Sequence, residues 1–315
     1  MASAKGPGNI IRFPGAGPDL SVTIGGLRFP NPVIAASGTF GYGSEYAGLI
    51  DVSRLGGIVS KGLTLEPRPG NKGIRLWETA SGLLNSIGLE NPGIAAFIGQ
   101  ELPRLKTLGP VIIANLAGST VEEYTEGARL LGDSAVDMIE LNISCPNIKA
   151  GGMAFGLDPA MAASLTGAVK KAAGKPLVVK LSPNAPDLAA LGRACAAAGA
   201  DGLSLVNSFK ALAIDINQRK PLFDHITAGL SGPAIKPIAL RMVWELREAV
   251  SLPLIGLGGI ASTSDALEFL MAGAAAVQVG TASFVHPGTM PDIIDGLELY
   301  MRKNKILTLG GLDIR

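Results

Sequence analysis

Cys145 stands in the run Asn142-Ile143-Ser144-Cys145-Pro146-Asn147, directly after an apolar segment suited to a buried strand. A thiolate tuned by its surroundings has the pKa range needed to remove a moderately acidic C–H proton. A free cysteine is more often a small buried hydrophobe, and Cys195, inside the alanine-rich stretch 193–198, takes that reading. Cys145 differs because it opens a polar loop between two asparagines and a proline. The ends of other apolar runs carry Ser37, Lys61, Asn115, Asn142, Lys180, and Asn207 with Ser208. Burying a lysine costs on the order of several kcal/mol unless an anion or acceptor compensates. One such lysine is compatible with a structural ion pair; two ringed by three asparagines point to an anionic, carbonyl-rich ligand. Two glycine clusters, Gly256-Leu257-Gly258-Gly259 and Gly280-Thr281, suit close backbone approach to a phosphate, or simply tight turns.

These residues need elements that bring them together. Short apolar runs alternate with segments of helical period, the mark of buried parallel strands linked by helices. The expected strands are 33–37, 57–61, 111–116, 138–144, 177–181, 202–207, 254–258 and 276–280. The expected helices are 44–50, 92–105, 121–131, 160–173, 188–198, 238–250, 264–271 and 292–302. Eight β/α units in series close naturally into an α/β fold of the (β/α)8 TIM-barrel type. Residues 21–29, with Gly25-Gly26 at their middle, read as an N-terminal β-hairpin ahead of the first barrel strand. Three long strand-to-helix connections, roughly 63–90, 145–158 and 208–236, fall on the C-terminal face, where barrel active sites are built. The glycine clusters follow strands seven and eight, the usual place for a phosphate. A phosphate there, with Lys180 and the asparagines at the centre, suits flavin mononucleotide (FMN). A flavin-free isomerase or aldolase with a bound phosphate is the competing reading.

Composition narrows the partners. Hydrophobic residues make up 47% of the 315 positions and charged ones 17%, which fits a large buried core. A formal charge of +1 offers no basic field for nucleic acid or an anionic membrane. Two cysteines and two histidines, without metal-ligand spacing, give no metal site. No apolar run is long enough for a membrane span, so a cytoplasmic location is expected. Residues 1–19, rich in Gly and Pro, read as a flexible tail, and 20–315 as one domain.

Four motifs occur jointly: NISCPN at 142–147, ASGTFGYG at 36–43, ETASGLLNSIGLENP at 78–92 and GLSGPAIKP at 229–237. Together they closely resemble class 1 dihydroorotate dehydrogenases, and the resemblance runs from about residue 20 to about residue 305. Asn147-Ile148-Lys149-Ala150-Gly151-Gly152, with Gly229-Leu230-Ser231-Gly232, looks like the 1B branch. The resemblance implies oxidation of (S)-dihydroorotate to orotate in pyrimidine biosynthesis, with Cys145 as the base and FMN as the hydride acceptor. It implies flavin contacts from Ser37, Lys61, Gly62, Asn115, Asn142, Lys180, Val206, Gly232, Gly258, Gly259, Gly280 and Thr281. It assigns the substrate to Lys61, Asn85, Ser86, Ile87, Gly88, Leu89, Asn142, Asn147, Asn207 and Ser208. Ser208 departs from the usual threonine but keeps the hydroxyl.

The branch also implies a partner subunit carrying FAD and a 2Fe-2S cluster that hands electrons to NAD, and a homodimer of this chain at the core of a heterotetramer. The chain itself has neither a GxGxxG after its first strand nor the cysteines for a cluster. The fumarate-using 1A branch and the pyrimidine-reducing domain of dihydropyrimidine dehydrogenase are the nearest alternatives. A transfer-RNA dihydrouridine synthase would want a basic surface. A non-catalytic binding module has no exposed stripe in the sequence to support it.

Overall fold

The eight apolar runs form one closed parallel barrel in a computed structural model that describes residues 17–144 and 155–314. With strands numbered in chain order, a hairpin of β1 (Val22–Ile24) and β2 (Leu27–Phe29) comes first, turning at Gly25-Gly26. The barrel strands are β3 (Val33–Ala35), β4 (Gly57–Val59), β7 (Val111–Leu116), β8 (Met138–Asn142), β9 (Leu177–Lys180), β10 (Gly202–Leu205), β15 (Leu254–Leu257) and β16 (Ala276–Val279). Each pairs in parallel with the next, and β16 closes on β3 with Val277 opposite Val33. Most end one or two residues earlier than the sequence suggests, so Ser37, Lys61 and Asn207 sit just beyond the ladder while Asn115, Asn142 and Lys180 remain within it.

Side chains alternate between the two faces of each strand. On β8, Ile139 and Leu141 join the outer core beneath the helices, whereas Met138 points to the barrel axis. Met138 packs there with Ile34, Val59, Ile113, Val178, Ile255 and Ala276, one position from each of seven strands. Ile24 and Phe29 of the hairpin belong to the same cluster, so the hairpin plugs the bottom of the barrel. Two residues further along, the axis-facing positions become polar: Asn115, Glu140, Lys180, Ser204 and Gln278, all buried. The apolar layer is thus the floor under a polar one.

Several helices begin with side-chain caps. Thr120 Oγ1 accepts from Glu123 N, Asp158 from Ala160 N and Met161 N, and Ser262 Oγ from Asp265 N. Two helices depart from expectation. Residues 44–50 form successive turns instead of a helix; Gly41 and Gly43 hold positive φ angles of 58° and 84° just ahead, and seven residues are too few to nucleate one alone. The expected helix 92–105 widens to a π turn over Phe97–Glu101, where Leu102 N–H reaches Phe97 O. Pro103 follows, lacks the N–H that an α-helix would use, and crowds the carbonyl four residues back.

Two expected long loops contain a sheet. The strands β5 (Leu76–Thr79) and β6 (Gly82–Asn85) come from the first, β11 (Phe209–Leu212) and β14 (Thr227–Ser231) from the third, in the order β11-β14-β6-β5. Asn85 of β6 lies opposite Gly229 of β14, and a short ladder of β12 (Ile214–Asp215) with β13 (Lys220–Pro221) lies between β11 and β14 in the chain. Near the start, Asp19 already bridges to Thr308, its N–H donating to Leu307 O at 2.8 Å.

Candidate active site

The C-terminal end of the barrel opens into a cavity of about 600 Å³, the size range of a cofactor pocket. Ser37, Lys61, Gly62, Asn142, Lys180, Val206, Asn207 and Ser208 line it from the strand ends. From the overlying sheet and its loops come Asn85, Ile87, Gly88 and Leu89. The sheet binds this side together: Asn85 Nδ2 donates to Gly229 O at 3.1 Å, and the Ser208 hydroxyl sits against the Cα of Gly229. Lys61 Nζ is 3.7 Å from Glu90 Oε2, which also accepts from Arg75 at 2.9 Å, so one carboxylate serves two cations at the rim. Ser86 is buried behind the wall, its hydroxyl accepting from Asn71 Nδ2 at 3.0 Å. Cys145 and Asn147 lie outside the described residues. Ser144, the last described residue before them, is buried beside Asn142.

Beneath the opening runs a continuous polar chain. Asn207 Nδ2 donates to Ser144 Oγ at 2.9 Å, and Ser144 donates through both its N–H and hydroxyl to Asn142 Oδ1. Asn142 Nδ2 donates to Asn115 Oδ1 at 3.2 Å, and Asn115 Nδ2 to Glu140 Oε2 at 2.6 Å. The other carboxylate oxygen of Glu140 accepts from Ser204 Oγ and Gln278 Nε2, each at 2.8 Å. Lys180 Nζ stands 3.7 Å from Oε2, with both side chains at 5% exposure or less. Tyr124 donates its hydroxyl to Asn142 O at 2.9 Å. Asn115 is therefore one step behind the wall, not on it.

Glu140, Ser204 and Gln278 were not among the residues expected at the site. Their signal is parity: each lies two positions from an axis-facing residue, and a charged residue at such a position is rare unless compensated. Gln278 does line the cavity, and its Oε1 is buried without a hydrogen-bond partner among the described residues. Because Nε2 is committed to Glu140, that oxygen remains an acceptor for a bound group.

The glycine corner lies where the two glycine clusters meet the start of the segment after β14. Gly232, Gly258, Gly259, Gly280 and Thr281 all line the cavity. Thr281 Oγ1 donates to Ser231 Oγ at 2.8 Å, and a methyl placed on Gly259 would lie 2.9 Å from Gly232 O. Behind Gly259, Lys236 donates to Asp265 at 2.7 Å and Glu268 at 3.0 Å. The hydrogen bond to Asp265 is the main reason that its pKa is raised above the ordinary lysine value. The backbone is thus close enough to wrap an anion, and the corner sits on one side of a cavity whose floor carries lysine, asparagine and glutamine. Among the described residues no helix is long and apolar enough to cross a membrane.

Comparison with known proteins agrees with this geometry. The family described as dihydroorotate dehydrogenase matches residues 19–301. The catalytic subunit of dihydroorotate dehydrogenase B (NAD(+)) from Petrotoga mobilis is 55% identical over 291 residues, 92% of this chain and 97% of its own length. Proteins of the same name from Geotalea daltonii and Citrifermentans bemidjiense are 52% and 53% identical, over 92% and 94% of this chain and 96% and 97% of theirs. A lysine- and asparagine-lined barrel mouth with a glycine corner, matched along nearly its whole length, places the chain in the dihydroorotate dehydrogenase family.

Proposed function

We propose that this chain is the catalytic subunit of an NAD-linked dihydroorotate dehydrogenase, oxidising (S)-dihydroorotate to orotate in pyrimidine biosynthesis. The observation that supports it most is the meeting, in one cavity, of the Lys61–Asn85–Asn142–Asn207 rim with the Gly258-Gly259 and Gly280-Thr281 corner. The described residues fit FMN: the glycine corner suits its phosphate, and the buried Gln278 Oε1 and the Lys180 ammonium suit the acceptor-and-donor edge of its ring. Bound FMN supplies a two-electron acceptor for the hydride that leaves C6 of the substrate.

The chain's own part is to bind, orient and move a proton. Lys61 offers the substrate carboxylate a cation, and Asn85, Asn142 and Asn207 offer amides to the pyrimidine ring. Donors fixed in advance toward carbonyls that gain charge lower the barrier more than mobile ones. We assign the base that takes the C5 proton to the Cys145 thiolate, on the resemblance of the 142–147 motif. Loss of H⁺ from C5 and of H⁻ from C6 leaves the C5–C6 double bond of orotate. Ile87, Gly88, Leu89, Asn147 and Ser208 complete the substrate contacts in this reading, with Ser86 behind them in the wall. Ser37, Gly62, Val206 and Gly232 complete those to the flavin, and Asn115 acts from one step behind, through Asn142.

We further assign reoxidation to a partner subunit with FAD and a 2Fe-2S cluster that passes electrons to NAD, joined to a homodimer of this chain in the cytoplasm. The purified chain should lose its flavin band, at about 450 nm, on anaerobic addition of dihydroorotate. Cys145→Ala should keep the band and bleach slower by orders of magnitude. A yellow protein that dihydroorotate leaves unbleached refutes the substrate, and native bleaching by Cys145→Ala refutes the base. Reoxidation by fumarate would move the chain to the fumarate-using branch.

A further inference from the structure

Glu140 is a fully buried acidic residue with no part in the chemistry proposed above. Its surroundings are one-sided: among the described residues, every polar group that reaches its carboxylate is a donor. Asn115 Nδ2, Ser204 Oγ and Gln278 Nε2 donate at 2.6 to 2.8 Å, from three different strands, and Lys180 Nζ stands at 3.7 Å. A carboxylate only accepts, whereas an amide has two unlike ends. The direction of each neighbouring amide is therefore not free.

That constraint propagates. With Nδ2 of Asn115 held by Glu140, its Oδ1 faces Asn142 and can only accept. Asn142 turns Nδ2 to Asn115 and Oδ1 to both donors of Ser144, one of them a backbone N–H, so its amide is pinned from both sides. The Ser144 hydroxyl has spent its proton on Asn142, so it faces Asn207 as an acceptor and fixes the amide of Asn207 in turn. On the opposite side, commitment of Gln278 Nε2 to Glu140 leaves Oε1 as the buried end without a partner among the described residues. The acceptor-only group at the barrel axis and the donor-only N–H groups of Ser144 and Ser208 thus impose one polarity, from opposite ends, on four side-chain amides and a hydroxyl spanning β7, β8, β16 and the segment after β10.

We propose that Glu140 is a positioning residue: its carboxylate holds Asn115 and Gln278 in the donor-acceptor polarity that the backbone N–H groups of Ser144 and Ser208 impose from the other end, so that Asn142, Asn207 and Gln278 present fixed faces to the molecules bound above. The inference rests on the reading of the cavity as the orotate- and FMN-binding site. It concerns which way the amides point, a property that neither the barrel fold nor the glycine corner dictates.

Glu140→Gln tests it, because glutamine matches the volume but has a single acceptor end, so it cannot accept from Asn115, Ser204 and Gln278 at once and one side of the floor must turn. In the holoenzyme, orotate affinity is read from the perturbation of the flavin spectrum, alongside visible circular dichroism of the bound flavin and the thermal midpoint. The expected result is an orotate Kd raised at least tenfold and an altered visible dichroism, in a protein that keeps FMN. Ser204→Ala, which removes one donor but leaves the polarity intact, should bind orotate within about twofold of wild type, as expected of a deletion that leaves the other donors in place. Should Glu140→Gln fail to fold, Asn115→Asp opposes two acceptors at the same link and should raise the orotate Kd likewise. Native orotate affinity with native dichroism in either charge-altered variant overturns the proposal, as does an equal loss in Ser204→Ala. A wild type that holds FMN but binds no orotate would instead overturn the substrate reading, and the dichroism comparison would then decide the role of Glu140 by itself.

Discussion

Gly259 and Gly26 share a φ of +79°, yet they stand in opposite surroundings, which allows the crowding at the glycine corner to be measured by itself. A methyl on Gly26, at the tip of the bottom hairpin, would meet nothing within 4 Å. The same methyl on Gly259 would lie 2.7 Å from Lys236 Cβ, 2.8 Å from Lys236 N and 2.9 Å from Gly232 O. Two of those three are backbone atoms that cannot swing away. The left-handed backbone costs alanine about 1–2 kcal/mol at either position. Overpacking adds about 1–3 kcal/mol at Gly259 only. Gly26→Ala should therefore lose about 1–2 kcal/mol, or roughly 2–3 °C at this chain length. Gly259→Ala should lose about 2–5 kcal/mol, or roughly 3–8 °C. If the corner relaxes by moving Gly259 outward, FMN affinity falls by the crowding energy, about 5- to 150-fold. Thermal melting and FMN titration of the stripped protein read both quantities. Equal melting points and equal FMN affinity in the two variants would refute the close-approach argument for Gly259.

Three further outcomes follow from the packing. Phe29→Ala removes a fully buried ring from the bottom plug and should cost about 3–5 kcal/mol, seen in the urea midpoint, with FMN content unchanged because the polar layer lies above it. Tyr124→Phe deletes the hydroxyl bound to Asn142 O at 2.9 Å and should cost about 1–2 kcal/mol in the same assay. Burial pushes the Cys195 thiol up to about 11 from 9.0, so the folded chain holds that proton more tightly than the unfolded one. Its contribution is complete below pH 9 and is lost as pH rises toward 11, with roughly 2–3 kcal/mol at stake. The difference in stability between wild type and Cys195→Ala should shrink over that window, and a difference independent of pH would contradict the assignment.

The barrel was legible because its strands are buried on both faces, so each appears as an unbroken apolar run ending in a polar residue. The same logic located Lys61, Asn142, Lys180 and Asn207, which stop those runs. Glu140 and Gln278 were missed because they lie inside runs, where a single polar residue in an apolar pentapeptide reads as an irregularity. Counting alternate positions from Met138 to Glu140 to Asn142 would have found the first. The top sheet was illegible for another reason: β5 and β6 are four residues each, and β14 pairs with a segment nearly 150 positions away in the chain. Such pairing is fixed by tertiary contact, not by local pattern. Residues 44–50 misled through their apolar spacing, which the left-handed glycines just upstream overrode.

The junction of β6 with β14 limits how this enzyme can be re-engineered. Loops on a barrel's working face are commonly treated as interchangeable parts, each grafted without regard to the others. Here the connections after the second and sixth barrel strands share one hydrogen-bonded ladder, with Leu83, Leu84 and Asn85 opposite Ser231, Leu230 and Gly229. A transplant of either alone would present an edge whose counterpart belongs to a different sequence. Natural variation should show the same restraint, so the two segments are expected to diversify together and to be inherited as a single unit of specificity.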